Sequence, residues 1–288
     1  MLFYEGETFT MAIRMVGLDL DGTLFNSRKE LTEHTRQVLE RAIARGIVIV
    51  PATGRPRTGL PGVLAEMDGI RYAIVTNGAA VYDLKENRCI YEKYMDKEAS
   101  AELLRRTRDL QTVQGAFVGP WGYMEEIDRQ RIEQLSLVEE MKNYLRSSRK
   151  VVDSLPEFVL RETQGPQKLV MMFLKDQNGQ PIDSEEAVRI TEEYEQFAFV
   201  SGGVGNIEIM DRAVGKGTAL LELGRQLGIG QEEIMAVGDS ENDLDMIRKA
   251  GLGVAMANSE EIVCRHADVL TLSNDEDGAA AAIEQYVL

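Results

Sequence analysis

The sequence Ile13-Arg14-Met15-Val16-Gly17-Leu18-Asp19-Leu20-Asp21-Gly22-Thr23-Leu24 passes from an apolar run into two carboxylates and a glycine. Its first eight residues are mostly apolar, which is typical of a strand buried on both faces. Because side chains alternate along a strand, Asp19 and Asp21 should leave it on the same side, where their repulsion favours a bound cation. Gly22 permits a sharp turn there. The alternative is a simple turn at Asp21-Gly22 capped by Asp19, although an unused acidic group in an apolar run costs free energy.

Apolar strands and helical patterns alternate at both ends of the chain. The later strand candidates are 47–50, 72–75, 234–237, 253–256 and 267–270, and the helix candidates are 32–45, 216–228 and 241–250. Short strand–helix–strand units of this kind predict a parallel sheet. The predicted fold class is therefore α/β, with a doubly wound, mostly parallel core.

The middle of the chain has a different pattern. Helical patterns lie at 98–111, 129–147 and 184–196, and strand candidates lie at 168–174, 197–201 and 206–210. Gly202-Gly203-Val204-Gly205 predicts a hairpin turn between the last two strands. We expect a discontinuous core of residues 1–83 and 212–288, with an inserted α+β cap at 84–211. The residues before Met11 show no clear period, so they form an extension or Met11 is the true start.

Composition and charge exclude several classes of function. Of the 288 residues, 44% are hydrophobic, which is ordinary for a globular protein. No apolar stretch approaches the ~20 residues that span a bilayer, and the net charge of -16 argues against nucleic acid or an anionic membrane as a partner. Cys89 and Cys264 are far apart and favour free thiols in a reducing cytoplasm. With only two histidines, the chain offers mainly oxygen ligands, which suit magnesium.

Two further polar segments occupy the starts of predicted helices. Thr53-Gly54-Arg55 follows strand 47–50, and its hydroxyl and free amides would form an anion cradle. An ordinary helix N-cap by Thr53 is the alternative. Lys216 opens a helix, where the helix dipole disfavours a cation unless an anion lies nearby. A solvated surface side chain is the alternative for Lys216.

The fourth polar segment, Gly238-Asp239-Ser240-Glu241-Asn242-Asp243, follows the fourth core strand. The carboxyl ends of parallel strands meet at one edge of a sheet, so Asp239 should lie beside the first pair of aspartates. Three carboxylates and a magnesium ion could then share one site. Ser240 and Asp243 also fit a helix capping box, which could be the whole role of Asp243. Asn242 and Asp243 could equally face the metal and a phosphate.

Together these segments resemble the four motifs of the haloacid dehalogenase superfamily. The matching residues are 19–24, 53–55, 216–217 and 238–243. Further segments are similar to its Cof-type phosphatases, which have a large cap inserted after the third strand. These are Thr76-Asn77-Gly78-Ala79, Ile207-Glu208-Ile209, Val254-Ala255-Met256-Ala257-Asn258 and Asn274-Asp275-Glu276-Asp277-Gly278. Gly215 stands where many relatives have Ser or Asn, and Pro51 precedes the second motif; neither removes a reacting group.

The resemblance implies a role for each motif residue. Asp19 is the expected nucleophile, which forms an aspartyl-phosphate, and Asp21 is the expected acid and base, whose backbone carbonyl also reaches magnesium. Asp239 is expected to complete the protein ligands to magnesium, with Asp243 supporting them from behind. The expected substrate-binding residues are Thr53, Gly54, Arg55, Lys216 and Asn242.

The expected function is magnesium-dependent hydrolysis of phosphomonoesters of small metabolites, sugar phosphates first. A phosphomutase acting on hexose phosphates would use the same intermediate. A non-catalytic phosphate-binding regulator would lack a reacting group, and none is missing. The cap is expected to close over the site and select the leaving group. Cap residues that could contact substrate, although surface or cap-core positions are commoner, are Trp121, Tyr123, Arg161 and Lys168.

Overall fold

The computed structural model of the protein describes residues 12–201 and 205–288. Within these ranges the strands are β1 (Met15–Leu18), β2 (Val48–Pro51), β3 (Tyr72–Val75), β4 (Ala80–Asp83), β5 (Arg88–Glu92), β6 (Thr112–Val118), β7 (Trp121–Glu125), β8 (Arg149–Val152), β9 (Lys168–Phe173), β10 (Phe197–Ser201), β11 (Asn206–Asp211), β12 (Ile234–Gly238), β13 (Leu252–Ala255) and β14 (Val269–Leu270). The α-helices are α1 (Glu33–Ala44), α2 (Gly62–Ala65), α3 (Lys97–Arg106), α4 (Glu126–Arg131), α5 (Glu139–Ser147), α6 (Leu155–Arg161), α7 (Ser184–Glu192), α8 (Lys216–Leu227), α9 (Leu244–Lys249), α10 (Glu261–Cys264) and α11 (Gly278–Tyr286).

Five short parallel strands form the core sheet, in the order β14-β13-β12-β1-β2. β1 pairs with β2 on one side and β12 on the other, and all four of its residues are buried. A parallel bridge from Ala52 to Ile74 continues the sheet to β3, which pairs with β4 and, through it, with β5 in antiparallel fashion. The predicted α/β class and its parallel core are confirmed.

Helices cover both faces of the core sheet. α1 and α11 pack on one face, through residues such as Leu39 and Ile283. α8 packs on the other face through Leu220. Gly17, inside β1, allows this approach, because a β-carbon there would lie 2.6 Å from a methyl group of Leu220. The end of β1, and with it Asp19, is therefore fixed relative to α8.

A second sheet of six strands, in the order β10-β11-β9-β6-β7-β8, forms the cap. Its strands are antiparallel except for the pair β7–β8. α3, α6 and α7 cover one face through Leu103, Phe158 and Ile190. Phe117 and Val170 belong to a separate cluster and line a cavity next to the core.

The predicted helix 129–147 is wrong. The structure divides it into α4, the 3-10 turn Ile132–Gln134 and α5. Leu135 leaves the helical conformation (φ -68°, ψ 139°) and buries its side chain in the cap. Strands β6, β7 and β8 have no counterpart in the sequence prediction, since glycine and polar residues interrupt their apolar patterns.

The division into core and cap stays a prediction, with one correction to its first boundary. Residues 88–92 form β5, which pairs with β4 and packs Cys89 against the core cluster, so the core extends past residue 84. The residues before Met11 and most of the predicted turn at 202–205 lie outside the described residues, although β10 and β11 on either side of that turn pair antiparallel. No helix in the described part of the chain has the length and hydropathy of a membrane span.

Asp128 of α4 gives the cap a pH-dependent stability. Its Oδ1 accepts a hydrogen bond from the backbone amide of Gln114 (2.8 Å), and burial raises its pKa to about 6. The folded protein holds a proton that the unfolded chain, with the lower ordinary pKa, releases, so stability falls as the pH rises to about 6. We expect Asp128→Asn to raise the free energy of unfolding by up to about 3 kcal/mol at about pH 8, and by far less at about pH 4.

Urea denaturation of the two proteins at both pH values measures this difference. The exposed Asp153→Asn variant is the matched control and should change stability by less than about 0.5 kcal/mol. An equal effect of Asp128→Asn at both pH values would contradict the prediction.

Candidate active site

Three loops meet at the carboxyl edge of the core sheet. Asp19 directly follows β1, and its amide donates to the carbonyl of Val237 in β12 (3.0 Å). Thr53 lies two residues beyond β2, and its amide donates to the carbonyl of Ile74 in β3 (2.9 Å). Asp239 directly follows β12. Strand pairing therefore brings together loops that are far apart in the sequence.

Lys216 is the first residue of α8 and is fully enclosed. Its Nζ donates to Oδ1 of Asp19 (2.5 Å) and to Oδ1 of Asp243 (2.6 Å). The alternative of a solvated surface lysine is wrong. Because a cation is unfavourable at a helix N-terminus, we attribute its stability there to the two carboxylates.

Asp243 supports two neighbouring groups at once. Its Oδ2 accepts hydrogen bonds from the amides of Asp239 (2.9 Å) and Ser240 (3.1 Å), the second of which is typical of a helix cap. Its Oδ1 binds Lys216, so both oxygens are engaged within the protein. A β-carbon on Gly238 would lie 2.5 Å from the Asp243 side chain. Asp243 therefore both caps the helix and positions the lysine.

Asp239 is held by two hydroxyl groups. Thr23 Oγ1 donates to its Oδ1 (2.7 Å), and Ser240 Oγ donates to its Oδ2 (3.0 Å). Gly22 lies against this carboxylate with a left-handed backbone (φ +98°), and a β-carbon there would come 2.5 Å from Oδ2. Gly22, in the first motif, therefore makes room for the carboxylate of Asp239, in the fourth motif.

The buried carboxylates carry more negative charge than Lys216 can neutralise. One oxygen from each of Asp19, Asp239 and Asp243 lies within 4.8 Å of the others. Burial raises the pKa of Asp19, with Asp243 and Asp239 adding to the shift and Lys216 opposing it. Burial, followed by Asp243, also raises the pKa of Asp239. Burial alone would lower the pKa of Lys216, but Asp19 and Asp243 outweigh it and raise that pKa.

This cluster fits a hard divalent cation. Its donors are carboxylate oxygens, which magnesium prefers, and a divalent charge would balance the surplus negative charge. Asp243 has both oxygens engaged by protein donors, so Asp19 and Asp239 are the side chains suited to hold the ion. Asp243 would then support them from behind.

The carboxylate of Asp21 does not belong to this cluster. Arg55 donates to its Oδ2 through Nη2 (2.8 Å) and Nε (3.2 Å), and Lys29 donates to its Oδ1 (2.9 Å). Burial would raise the pKa of Asp21, but Arg55 and Lys29 outweigh it and lower that pKa. β1 ends at Leu18, so strand alternation does not apply as far as Asp21. Its side chain therefore faces two cationic residues in place of the expected metal, and the role of its backbone carbonyl stays a prediction.

A turn with unusual backbone geometry supports the loop after β2. Thr76 and Asn77 both have left-handed φ values (+53° and +55°), which are uncommon for residues other than glycine. Their amides donate to the carbonyls of Arg55 (2.9 Å) and Thr53 (3.0 Å). A β-carbon on Gly54 would come 2.7 Å from Oδ1 of Asn77. The two loops therefore hold each other in place.

Two cap residues, Lys168 of β9 and Glu208 of β11, reach these loops; we call this pair the clasp. Lys168 Nζ donates to the carbonyl of Gly54 (2.7 Å) and lies 2.8 Å from Glu208 Oε1. Glu208 Oε2 accepts from Nδ2 of Asn77 (2.5 Å). Burial lowers the pKa of Lys168, whose side chain is 1% exposed. The clasp therefore joins the cap to both core loops through buried charged groups.

A cavity of about 420 Å³ lies between the core loops and the cap sheet. Its core side is polar and includes Asp19, Asp21, Thr53, Gly54, Arg55 and Asn242. Its cap side combines charged residues, such as Arg149, Lys168 and Glu208, with apolar and aromatic residues, namely Phe117, Leu135, Met141, Tyr144, Val170 and Met172. A polar floor beneath a wall that is partly apolar and partly charged suits a small polar organic molecule.

The residues singled out from the sequence occupy different places around this cavity. Lys216, Asp239 and Asp243 are absent from its lining, whereas the other predicted catalytic and substrate-binding residues line it. Of the four cap candidates, only Lys168 is among the lining residues in the described part of the chain. Tyr123 stacks on Phe158 in the cap core, with ring centroids 4.3 Å apart.

Several cap residues line the cavity without having been predicted as site residues from the sequence, namely Phe117, Tyr144, Arg149 and Glu208, the last of which was noted only as part of a Cof-type segment. Glu208 had a detectable signal, because it is a charged residue between two apolar residues of a strand, as Asp19 is. Tyr144 and Arg149 had no such signal in the sequence. Their position depends on how α5 and β8 fold back towards the core, which the local pattern does not encode.

A family model described as haloacid dehalogenase-like hydrolase matches residues 16–283. The chain belongs to this family. The phosphatase YwpJ of Bacillus subtilis is 30% identical over 287 residues, which cover 93% of this chain and 98% of the relative. The 5-amino-6-(5-phospho-D-ribitylamino)uracil phosphatase YcsE of the same species is 27% identical over 281 residues, which cover 96% of both chains.

Solved structures of haloacid dehalogenase-like hydrolases share the whole fold. One from B. subtilis is 29% identical, covers 96% of this chain and 100% of its own, and has a TM-score of 0.80. The subclass IIB sugar phosphatase BT4131 is 22% identical, covers 95% and 98%, and has a TM-score of 0.75, which shows the fold alone. The resemblance to Cof-type members of the superfamily is confirmed, and the protein is a phosphoric monoester hydrolase of this family.

The clasp leads to a prediction about stability. Removing the Glu208 carboxylate leaves the Lys168 ammonium buried without its counter-charge, so we expect Glu208→Gln to lower the free energy of unfolding by about 3 kcal/mol. Adding Lys168→Met removes both charges and should restore most of that loss. Urea denaturation of the single and double variants measures the coupling.

The matched control is Arg189→Gln, which breaks an exposed ion pair with Glu186. It should change stability by less than about 1 kcal/mol. If the losses from Glu208→Gln and Lys168→Met simply added in the double variant, the two side chains would not act as a pair.

Proposed function

We propose that the protein is a magnesium-dependent phosphatase that hydrolyses phosphomonoesters of small metabolites, sugar phosphates first, through an aspartyl-phosphate on Asp19. The observation that supports this most is the buried contact between Lys216 and Asp19 (2.5 Å), the second of which lines the cavity. The contact supports a nucleophilic role for Asp19, because a cation next to the carboxylate would also attract a phosphoryl group.

Asp19 is suited to attack phosphorus. The ammonium group of Lys216 on its Oδ1 favours the deprotonated carboxylate, against the effect of burial. A carboxylate oxygen forms the new bond to phosphorus as the bond to the leaving alcohol oxygen breaks. Water then attacks the acyl phosphate, which releases inorganic phosphate and restores the carboxylate of Asp19. Both steps depend on positioning and on charge neutralisation.

Asp21 is proposed to protonate the leaving alcohol and later to activate the water. In the structure its pKa is lowered by Arg55 and Lys29, so it begins as the base. A phosphoryl group that enters the cavity would compete for the Arg55 guanidinium. Release of Arg55 would raise the pKa of Asp21 and favour the protonated form that the first step needs.

The transferred phosphoryl oxygens are proposed to contact groups that already line the floor. The candidates are the Thr53 hydroxyl, the Gly54 amide, the Arg55 guanidinium and the Asn242 amide, with Lys216 beside the nucleophile. Asn242 supports this role through its donor nitrogen: the residue lines the cavity, and Nδ2 makes only a long contact with Oδ1 of Asn77 (3.5 Å). Nδ2 is therefore the group of this amide that would donate to a phosphoryl oxygen.

Asp19 and Asp239 are proposed to hold the magnesium ion, together with the backbone carbonyl of Asp21. When bound, the ion supplies positive charge that neutralises phosphate oxygens. Asp243 and Thr23 would fix the orientation of Asp239. The surplus negative charge of the cluster is the observation behind this proposal.

The substrate is proposed to be a small phosphorylated metabolite in the cytoplasm. A cavity of about 420 Å³ has room for a sugar phosphate, and the names of YcsE and BT4131 describe phosphatases of a small phosphorylated compound and of sugar phosphates. Cys89 and Cys264 are unpaired, in line with a reducing compartment. The net charge of -16 makes nucleic acid an unfavourable partner.

The direct test is hydrolysis of p-nitrophenyl phosphate. We expect activity with added magnesium, loss of activity with a chelator, and recovery when magnesium is restored in excess. Asp19→Asn removes the nucleophile and should lower kcat by about 1,000-fold or more while the protein stays folded. The exposed Asp68→Asn variant is the matched control and should retain full activity.

Two results would overturn the proposal. No turnover by the intact protein with any divalent cation would favour a phosphate-binding regulator. With a hexose 1-phosphate as substrate, formation of an isomeric sugar phosphate in place of free phosphate would identify a phosphomutase.

A further inference from the structure

One cationic side chain on the cap side of the cavity, that of Arg149, has no hydrogen-bond partner in the part of the chain that the structure describes. Arg149 is the first residue of β8 and lines the cavity. Its Nε and Nη1 atoms are enclosed and have no hydrogen-bond partner among the described residues. The guanidinium carbon lies 5.6 Å from the centroid of the Phe117 ring. Arg149 is thus a charged residue that packs against the Phe117 ring and has guanidinium N–H donors without acceptors among the described residues.

The other cationic residues of the cavity are paired or solvated. Lys29 and Arg55 bind the carboxylate of Asp21, and Lys168 binds Glu208 and a backbone carbonyl. Lys175 is exposed to solvent. Arg149 differs from these residues, because two of its guanidinium nitrogens are enclosed and have no acceptor among the described residues.

The nearby carboxylate of Glu208 does not fill this role. It acts on Arg149 through space, but its two oxygens are bound to Lys168 and Asn77. Burial lowers the pKa of Arg149, yet an arginine stays protonated in proteins because its ordinary pKa is so high. Enclosed donors without an acceptor are costly, so an anion would complete the hydrogen bonding of this guanidinium.

The cap sheet is shaped around this side chain. A β-carbon on Gly122 would lie 3.0 Å from Cγ of Arg149, and one on Gly115 would lie 3.5 Å from its Nε. Gly122 on β7 therefore makes room for the arginine side chain, whereas Gly115 on the neighbouring strand β6 lies at an ordinary van der Waals distance from it. Lys168 Nζ lies 4.7 Å from the Phe117 centroid and uses two of its three donors.

We propose that Arg149 binds a second anionic group, a carboxylate or a phosphate, on the leaving group of the substrate. This proposal rests on the proposed phosphatase function and narrows its substrates to phosphomonoesters with two anionic ends. The guanidinium fork matches two oxygens of such a group, and a neutral hydroxyl would leave the buried charge uncompensated. In a protein with a net charge of -16, this local cation also offsets repulsion of a doubly anionic substrate.

The experiment compares matched substrates that share one skeleton. Glucose 6-phosphate has one anionic end, 6-phosphogluconate adds a carboxylate, and glucose 1,6-bisphosphate adds a phosphate. We expect kcat/KM to be about tenfold or more higher for at least one doubly anionic compound than for glucose 6-phosphate. Whichever of the two is preferred identifies the second group as carboxylate or phosphate.

Arg149→Met should lower kcat/KM for the preferred compound by about 30-fold, mostly through KM, and change that for glucose 6-phosphate by less than about threefold. Arg149→Lys should recover part of the loss, because it restores the charge without the fork. The matched control is Arg146→Met, in the same segment of the cap, whose guanidinium pairs with Glu133 and Glu139. Arg146→Met should leave kcat/KM for each of the three substrates within about twofold of the value for the unchanged protein.

The outcomes separate this inference from the phosphatase assignment. If p-nitrophenyl phosphate is hydrolysed but no doubly anionic compound is preferred, or if Arg149→Met lowers all substrates equally, the second anion site is wrong and the phosphatase stands. If the intact protein hydrolyses no phosphomonoester, both fail together.

Discussion

The contact of one buried lysine with two aspartates holds the catalytic edge together. Lys216 begins α8, Asp19 directly follows the central strand β1, and Asp243 lies in the turn before α9, so the three groups join segments that are far apart in sequence. None of the three charges would be stable in this position alone, because each is enclosed by protein. Two glycines, Gly17 and Gly238, let the backbones approach closely enough for the contact to form. The close packing of the core is therefore required for the lysine–aspartate contacts of the site to form.

The cap takes part in this arrangement and does not merely cover it. The clasp hydrogen bonds to the loops after β2 and β3, and Tyr144 of α5 lies under the guanidinium of Arg55, 5.3 Å from ring centroid to Cζ. Arg55 in turn binds the carboxylate of Asp21. A change in cap position would thus alter the environment of Asp21, the proposed acid–base residue. Exclusion of water and control of proton transfer would be linked by the same contacts.

Much of the core was predictable from the sequence, because each buried parallel strand leaves a short apolar run followed by polar residues. The positions of Asp19 and Asp239 at one sheet edge follow from that rule alone. The side-chain direction of Asp21 did not follow, since the strand ends before it and two cations from elsewhere decide where it points. The cap was harder. β6 and β7 are interrupted by glycine and β8 begins with two charged residues, and Gly122 is explained only by the Arg149 side chain that packs against it.

The order of elements in the chain adds a constraint on how caps can be exchanged between relatives. β11 supplies Glu208 and, a few residues later, the same segment enters α8 at Lys216. A chimera with the cap of a relative would therefore also receive a different chain segment leading into α8 at Lys216, in addition to different cap residues lining the cavity. It also needs an acidic residue in register with the Asn77 turn of the recipient. Diversification of the cap is therefore restricted at β9 and β11, whose clasp residues contact the core.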